Sequence, residues 1–257
     1  MHDALLDWYA REHRDLPWRR TSDPYAILVS EVMLQQTQVA RVVPRYEAWL
    51  ERWPDEGALA EAVRADVLTA WVGLGYNTRA VRLHEACRVV VRDGWPGTAA
   101  GLRALPGVGP YTAAAVASFA FGEQVAAVDT NVRRVAGRLG RGSPEDLLPP
   151  GRAHDWNQAM MELGATVCGA RSVRCEACPV AGSCASRGRV AVAARAPAPA
   201  RERFEDSTRW VRGRIVAALA AGHGLPVAIP EQRLCPALDG LVRDGLVVVE
   251  QGGARLA

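Results

Sequence analysis

Two acidic residues, Glu31 and Asp129, stand in surroundings that would push their carboxyl groups toward opposite charge states. Glu31 shares one side of a predicted helix with Ile27 and Leu34, and burial on an apolar stripe disfavours the charged form of a carboxyl group. Asp129 follows an apolar stretch and precedes a helical pattern, where capping N–H groups favour the ionised form. A protonated carboxylic acid combined with an ionised carboxylate suits cleavage of a glycosidic bond through an oxocarbenium-like transition state. The structural alternatives are a Glu31 bonded to an arginine or to the backbone, and an Asp129 that only caps a helix.

A glycine turn between two predicted helices is a candidate contact for a DNA backbone. The segment LPGVGPYTA places two glycines in one short turn immediately before a helix. Such a turn lets the backbone approach another molecule, and the N–H groups at the start of the following helix attract phosphate. This is the helix-hairpin-helix pattern of proteins that hold DNA without reading its sequence, although many GxG segments are plain turns. The residues assigned to DNA-backbone contact are Leu105, Gly107, Val108 and Gly109.

Four cysteines fall within seventeen residues, which in a reducing compartment indicates a metal site more often than disulfides. Four thiolates in one loop can close either a [4Fe–4S] cluster or a tetrahedral zinc site. Zinc sites more often use two C-x2-C pairs, and the spacing here, C-x6-C-x2-C-x5-C, contains one. Nothing in the loop resembles an open catalytic position, so a structural or DNA-positioning role is expected. The candidate ligands are Cys168, Cys175, Cys178 and Cys184.

The elements that must position these groups are helices. Helical periodicity dominates the first 190 residues, with no run of alternating strands and no internal repeat. Asp23 and Pro24 form a helix start, and the helix that holds Glu31 is expected to run to about residue 43.

The region after the cysteine loop differs in composition. Residues 187–206 are rich in Ala, Pro and Arg and predict a linker. Two helices expected at 207–221 and 230–244, followed by a short hairpin, indicate a small winged-helix-like module over residues 207–257.

The overall composition excludes several classes of protein. The chain has 257 residues, of which 49% are hydrophobic and 23% charged, as in a globular protein of one or two domains. Its longest apolar run is about half a membrane span, and its N-terminus lacks the features of a signal peptide, so a cytoplasmic protein without a membrane partner is expected. All 31 basic residues are arginines, so no side chain can form a lysine Schiff base.

The hairpin, the downstream Asp129 and the four-cysteine loop stand in an order that resembles the helix-hairpin-helix DNA glycosylase superfamily. The resemblance covers about residues 5–185 and implies an all-α fold of two lobes, a six-helix barrel over 20–130 and a cluster-bearing lobe built from 1–19 and 131–186. Within the superfamily, the segments that resemble the MutY family of adenine DNA glycosylases are LPWR (16–19), SEVMLQQTQ (30–38), GLGY (73–76), VDTNVRRV (128–135) and NQAMMELGA (157–165).

The resemblance implies an enzyme that flips adenine out of double-stranded DNA and removes it when it is mispaired with 8-oxoguanine or guanine. Glu31 would protonate N7 of adenine, and Asp129 would stabilise or transiently trap the sugar cation until water attacks. The resemblance further implies a [4Fe–4S] cluster on the four cysteines and a protein that works as a monomer. It assigns assistance of the two carboxylates to Tyr111 and Asn131, and substrate contact to Trp18, Arg19, Leu34, Gln35, Gln36, Tyr76 and Gln158.

Two departures from related enzymes sharpen this hypothesis. Endonuclease III uses a lysine just after the hairpin to nick the strand, whereas this chain has Tyr111 there and no lysine, so a glycosylase without lysine-dependent lyase activity is expected. Typical MutY proteins carry a further C-terminal domain that recognises 8-oxoguanine, and the roughly 70 residues after the cysteine loop are too few for it. The alternatives are a thymine or uracil mismatch glycosylase of the same superfamily and a non-catalytic DNA-binding protein. The first usually lacks a glutamate at the position of Glu31, and the second would need neither carboxylate.

Overall fold

The computed structural model describes residues 1–190, 203–251 and 253–257. Within these residues the chain is helical apart from one antiparallel hairpin, which confirms the predicted fold class. The hairpin strands are β1 (Val247–Glu250) and β2 (Gly253–Leu256). In chain order, the α-helices are α1 (His2–Glu12), α2 (Pro24–Leu34), α3 (Val39–Arg52), α4 (Glu56–Glu61), α5 (Arg64–Trp71), α6 (Thr78–Asp93), α7 (Ala99–Leu102), α8 (Pro110–Phe121), α9 (Thr130–Leu139), α10 (Ala153–Thr166), α11 (Thr208–Ala220) and α12 (Glu231–Arg243).

Local sequence explains where several of these helices begin and end. The side chain of Asp23 accepts hydrogen bonds from the N–H groups of Tyr25 and Ala26 at 3.2 and 3.0 Å, and α2 starts there as predicted. Asp129 caps α9 in the same way. Gly122 ends α8 with φ of 69°, a left-handed conformation that glycine adopts without steric cost.

The helix predicted to continue to about residue 43 is interrupted. Helix α2 ends at Leu34 and α3 begins at Val39. Between them Gln36 has φ of 57°, which a right-handed helix cannot contain. The prediction of one continuous helix is therefore wrong, and the interruption leaves an exposed turn at Gln36.

The chain forms two compact units, and the division falls within α2. The first unit comprises residues 1–31 and 95–197, and the second comprises 32–94 and 198–257. In the first unit a core around Trp156 and Leu163 of α10 includes Val132 of α9, the helix that Asp129 caps, and packs against Cys168, Cys178 and Cys184 of the cysteine loop. These groupings do not decide the domain boundaries predicted from sequence, which stay a prediction.

The C-terminal module has the predicted elements, namely α11, α12 and the hairpin. Its apolar residues Val211, Ile215 and Leu241 share one core with Leu68 of α5 and Val81 of α6. Residues 191–202 of the predicted linker lie outside the described residues. Among the residues that the structure describes, no helix has the length and apolar character that a bilayer crossing needs.

Candidate active site and cysteine pocket

Glu31 is a buried acid in an otherwise apolar helix. Every residue of α2 from Tyr25 to Met33 is buried, and Glu31 itself is 6% exposed. Burial raises the pKa of Glu31 to about 7; a hydrogen bond from the Tyr111 hydroxyl opposes this rise, and the negative charge of Asp129 adds to it. A carboxyl group with this pKa carries a proton in a large fraction of molecules at neutral pH, as a general acid requires.

Tyr111 reaches the Glu31 carboxyl from the second position of α8, directly after the glycine turn. Its hydroxyl oxygen also lies 3.8 Å from the sulfur of Met161. Burial raises the pKa of Tyr111 well above its ordinary value, and the charges of Glu31 and Asp129 act in the same direction. The hydroxyl therefore stays protonated and available as a donor throughout the physiological pH range.

Asp129 is fixed by the start of α9. Its Oδ1 accepts the N–H of Val132 at 2.7 Å, and its Oδ2 accepts the side-chain amide of Asn131 at 2.8 Å. The amide oxygen of Asn131 accepts from Arg134 at 2.7 Å, and Arg134 also donates to the carbonyl of Gly164 at 2.7 Å. The predicted catalytic residues thus converge in the first unit, with Asn131 orienting Asp129.

Asn131 packs closely against Gly164 of α10, where there is no room for a larger side chain. A methyl group added at Gly164 would lie 2.6 Å from the Cβ of Asn131 and 3.2 Å from its Cα, so the start of α9 would have to move. We expect Gly164→Ala to lower the free energy of unfolding by about 1–3 kcal/mol. We also expect it to reduce the rate of the reaction that Glu31 and Asp129 would catalyse by roughly tenfold, the cost of a small misplacement of a catalytic group.

The matched control is Gly137→Ala in α9, where nothing lies within 4 Å of the added carbon. It should be neutral or stabilise the protein by up to about 1 kcal/mol. Urea unfolding and single-turnover rates measure both variants. Equal behaviour of the two would show that the contact between Gly164 and Asn131 does not position Asp129.

The glycine turn is anchored by side chains and exposes its backbone. Leu105 and Val108 are 4% and 8% exposed, so both are held in the protein interior. Gly107 is exposed with φ of 76°, and the exposed Gly109 directly precedes Pro110 at the start of α8. Apolar anchors with an open glycine backbone fit the predicted phosphate contact, for which Leu105 and Val108 position the turn.

Three of the predicted substrate contacts, Trp18, Arg19 and Gln158, lie in the first unit. Nη2 of Arg19 lies 2.7 Å from Oε2 of Glu162, and the guanidinium stands 5.5 Å from the ring centre of Tyr9. The Tyr9 hydroxyl donates to Oε1 of Gln158 at 2.7 Å. Arg19 and Gln158 are therefore held in one network, while Trp18 lies half-buried in the turn just before Arg19.

The other four predicted contacts, Leu34, Gln35, Gln36 and Tyr76, belong to the second unit. Leu34 and Gln35 are half-buried, whereas Gln36 and Tyr76 are exposed. Among the described residues, Gln36 and Tyr76 are the only non-glycine residues with positive φ, at 57° and 47°. Such conformations persist where the surrounding structure enforces them, and they cluster at functional sites.

Arg79 of α6 enforces both of these turns, and the sequence did not single it out. Its Nη1 donates to the carbonyls of Val32 at 2.6 Å and Gln35 at 2.8 Å. Its Nη2 donates to the carbonyls of Leu74 at 2.9 Å and Gly75 at 3.0 Å. One guanidinium therefore ties the turn before Gln36 to the turn before Tyr76.

Glu162, which pairs with Arg19, was not predicted from the sequence either. Its position four residues after Gln158 on α10 puts both residues on one helix face.

The four cysteines line one pocket in the first unit. None of these four cysteines forms a disulfide bond. Nη1 of Arg138 donates to the sulfur of Cys168 at 3.2 Å, and the Cys184 thiol donates to the Arg138 carbonyl at 3.3 Å. In the described part of the chain, no three His, Cys, Asp or Glu side chains form a site for a single metal ion.

Comparison with known proteins finds similar sequences over most of the chain. The family described as HhH-GPD superfamily base excision DNA repair protein matches residues 29–147, a range that contains Glu31, Tyr111 and Asp129. The adenine DNA glycosylase of Mycobacterium tuberculosis is 44% identical over 259 residues, which cover 93% of this chain and 84% of that protein. The adenine DNA glycosylase of Homo sapiens is 45% identical over 214 residues, 73% of this chain and 39% of that protein.

Solved structures show the same fold. A thermostable thymine-DNA glycosylase is 30% identical with a TM-score of 0.67, covering 73% of this chain and 95% of its own. Endonuclease III in a non-covalent DNA complex is 24% identical with a TM-score of 0.62, covering 72% of this chain and 92% of its own.

Proposed function

Because this chain belongs to the adenine DNA glycosylase family, among the HhH-GPD base excision DNA repair proteins, we propose that it removes adenine mispaired with 8-oxoguanine or guanine from double-stranded DNA. The observation that carries the proposal is the buried Glu31, whose pKa of about 7 is set by burial and by its neighbours Tyr111 and Asp129. Adenine is a poor leaving group as an anion, so its departure needs an acid of this kind.

The reaction proceeds by acid catalysis. Glu31 donates its proton to N7 of adenine, and the electron pair of the C1′–N9 bond leaves with the base. Asp129, held in place by the N–H of Val132 and the amide of Asn131, stabilises the sugar cation until water attacks C1′. Tyr111 keeps the Glu31 carboxyl in place. Because the chain contains no lysine, no lysine side chain is available for a Schiff base, and the abasic strand is left intact.

Recognition requires that adenine leave the base stack. Trp18, Arg19 and Gln158 of the first unit contact the extruded adenine. In the second unit, Leu34 is a further substrate contact, and Gln36 and Tyr76, with Gln35 next to them, enter the duplex near the opposite purine. The exposed, strained turns at Gln36 and Tyr76 support this role, since an inserted residue must project from the surface. Gly107 and Gly109 bind a phosphate through their backbone N–H groups.

A thymine mismatch glycosylase is the second candidate function, since the thymine-DNA glycosylase structure shares 30% of its sequence with this chain. A pyrimidine depends less on ring protonation, so a buried acid at Glu31 favours adenine. A non-catalytic DNA-binding protein would not need the arrangement of Glu31, Tyr111 and Asp129.

Labelled duplexes separate these functions. Excess protein is incubated with duplexes that hold A opposite 8-oxoguanine, A opposite G, T opposite G, or A opposite T, and half of each sample is then treated with alkali. We expect a strand break at the adenine only after alkali, and only in the first two duplexes. A break in the T·G duplex alone would establish the second candidate. Binding without any break would establish the non-catalytic protein.

The cysteine pocket fits a [4Fe–4S] cluster, and we propose that the four cysteines hold one. The four cysteines line one pocket, and their spacing contains one C-x2-C pair, whereas zinc sites more often use two such pairs. The cluster would cross-link the loop that follows α10. Arg138 donates to the Cys168 sulfur and orients that ligand.

Removal of one ligand tests the cluster. We expect Cys178→Ser to lose most of its iron and acid-labile sulfide, compared with about four of each per wild-type chain. Cys235→Ser is the matched control, because Cys235 is an exposed thiol of α12, and it should keep the full content. Zinc in the wild-type protein in place of iron would overturn the assignment.

The cellular location and the oligomeric state of the protein are also part of the proposed function. The match to a bacterial enzyme over 93% of the chain supports a protein that acts on chromosomal DNA in the cytoplasm, and we propose that it acts as a monomer. Light scattering of the protein alone and on a short duplex measures its stoichiometry.

A further inference from the structure

The C-terminal module contacts one of the proposed DNA-contacting residues. Nη1 of Arg209, in α11, donates to the hydroxyl of Tyr76 at 2.6 Å. The same guanidinium stands 5.5 Å from the ring centre of Tyr76 and 5.1 Å from that of Phe204. One cation is therefore shared by two aromatic rings, and such cation–π contacts hold the three groups together.

All three of these groups face solvent. Tyr76 is 43% exposed and Phe204 is 52% exposed, and Arg209 is exposed as well. In the described part of the chain Arg209 forms no ion pair with a carboxylate, whereas Arg212, three residues later, pairs with Asp244. An exposed cation without an acidic partner, set between exposed aromatic rings, leaves both charge and stacking surface available to a ligand.

Arg209 also explains how the strained turn at Tyr76 is held. The φ of 47° at Tyr76 needs support from its surroundings. Arg79 provides it through the carbonyls of Leu74 and Gly75 and stands 5.8 Å from the Tyr76 ring centre. Arg209 is the second guanidinium on that ring, and it comes from the C-terminal module.

We infer that the C-terminal module is part of the DNA-binding surface, in which Arg209 holds the Tyr76 ring and binds, together with Tyr76 and Phe204, the duplex that carries the mispair. The guanidinium suits a phosphate of the backbone, and the aromatic rings suit a base displaced from the stack. The inference rests on the proposed function for the identity of the DNA. If the contact only fastened α11 to the turn at Tyr76, its loss would lower stability and leave DNA binding unchanged.

Equilibrium binding of the full-length protein tests the inference. The probe is a fluorescent duplex with a stable tetrahydrofuran abasic analogue opposite 8-oxoguanine, which cannot be cleaved. We expect Arg209→Met to raise the Kd about tenfold and to reduce the slope of log Kd against log salt by about one, as loss of one phosphate contact does. Arg209→Lys should recover the salt slope but only part of the affinity, because lysine has no planar group to stack.

Two further variants complete the experiment. Arg243→Met removes an exposed arginine of α12 that has no aromatic neighbour among its described contacts, and it should change the Kd by less than about twofold. Phe204→Leu should weaken binding about threefold at an unchanged salt slope. Equal Kd values for Arg209→Met and Arg243→Met would overturn the inference, whatever their melting temperatures. A wild-type protein that cleaves no duplex, but whose binding still falls in Arg209→Met, would overturn the proposed function and leave the inference standing.

Discussion

Glu31→Gln is expected to lower the single-turnover rate of adenine release by about 10³-fold, within the usual contribution of a general acid. Glutamine keeps the size of the side chain and its capacity to accept a hydrogen bond from Tyr111, but it has no proton to give to the base. The measurement is the first-order rate of alkali-labile site formation with excess protein on the A·8-oxoguanine duplex. Glu61→Gln, an exposed glutamate of α4, is the matched control and should cleave at the wild-type rate.

The dependence of the wild-type rate on pH tests the same role of Glu31 as the acid. Burial raises the pKa of Glu31 from 4.5 to about 7, and the reaction needs the protonated form. The rate should therefore fall about tenfold per pH unit above pH 7. A rate that rose through pH 7, or a Glu31→Gln protein as active as the wild type, would contradict the assignment of Glu31 as the acid.

The same substitution is expected to stabilise the protein at alkaline pH. The folded state binds the Glu31 proton more tightly than the unfolded chain, so the stability that the protonated group contributes is complete below pH 4.5 and is lost as pH rises through about 7. The loss is on the order of 3 kcal/mol. Glu31→Gln avoids this loss, and at pH 8 it should raise the free energy of urea unfolding by about 2 kcal/mol. A variant that was less active and also less stable would indicate a structural role for Glu31.

The sequence predicts the local features of this site well, because they depend on short-range rules. Asp23 and Asp129 cap helices where an acidic residue precedes a helical pattern, and the burial of Glu31 follows from its position between Ile27 and Leu34. The four cysteines of the pocket lie within seventeen residues of one another. Each of these predictions needed only neighbours within a few residues.

The features that the sequence did not predict depend on distant contacts. Glutamine has no preference for positive φ, so nothing in the sequence indicated that Gln36 would interrupt the helix. The turn there is held by Arg79, more than forty residues away, through the carbonyls of Val32 and Gln35. Every type of residue has a backbone carbonyl, so an arginine that binds carbonyls has no characteristic partner residue by which the contact could be predicted from the sequence. The contact between Arg209 and Tyr76 spans a still longer separation.

Glu162, which was not predicted from the sequence, forms an ion pair with Arg19, a predicted substrate contact. Its side chain is fully buried, and Oε1 lies 2.8 Å from Nε of Arg14 while Oε2 lies 2.7 Å from Nη2 of Arg19. Burial acts to raise the pKa of Glu162, but the hydrogen bonds and charges of Arg14 and Arg19 outweigh it and lower the pKa to about 2. This ion pair is therefore a source of stability, and through Arg19 it also positions a proposed substrate contact.

Glu162→Gln is expected to lower the free energy of unfolding by about 3 kcal/mol at pH 7, because it leaves the largely buried Arg19 without its counter-ion. The stability from a carboxylate with a lowered pKa is present above pH 4.5 and is lost as pH falls through about 2. The difference between variant and wild type should therefore shrink toward pH 2. Urea unfolding across this range measures it, with Asp15→Asn as the control, since the pair of Asp15 and Arg20 is exposed and its loss should have no measurable effect.

The change from glutamate to glutamine is expected to have opposite effects on the free energy of unfolding at Glu31 and at Glu162. Glu31 is buried beside another carboxylate and a tyrosine, so its charge is costly and glutamine should stabilise the protein while abolishing the acid. Glu162 is buried beside two arginines, so its charge is favourable and glutamine should destabilise the protein. At pH 8 the unfolding free energies of the two variants should lie on opposite sides of the wild-type value. If both variants were destabilised, burial alone would account for both sites, and the electrostatic basis for assigning Glu31 as the acid would be lost.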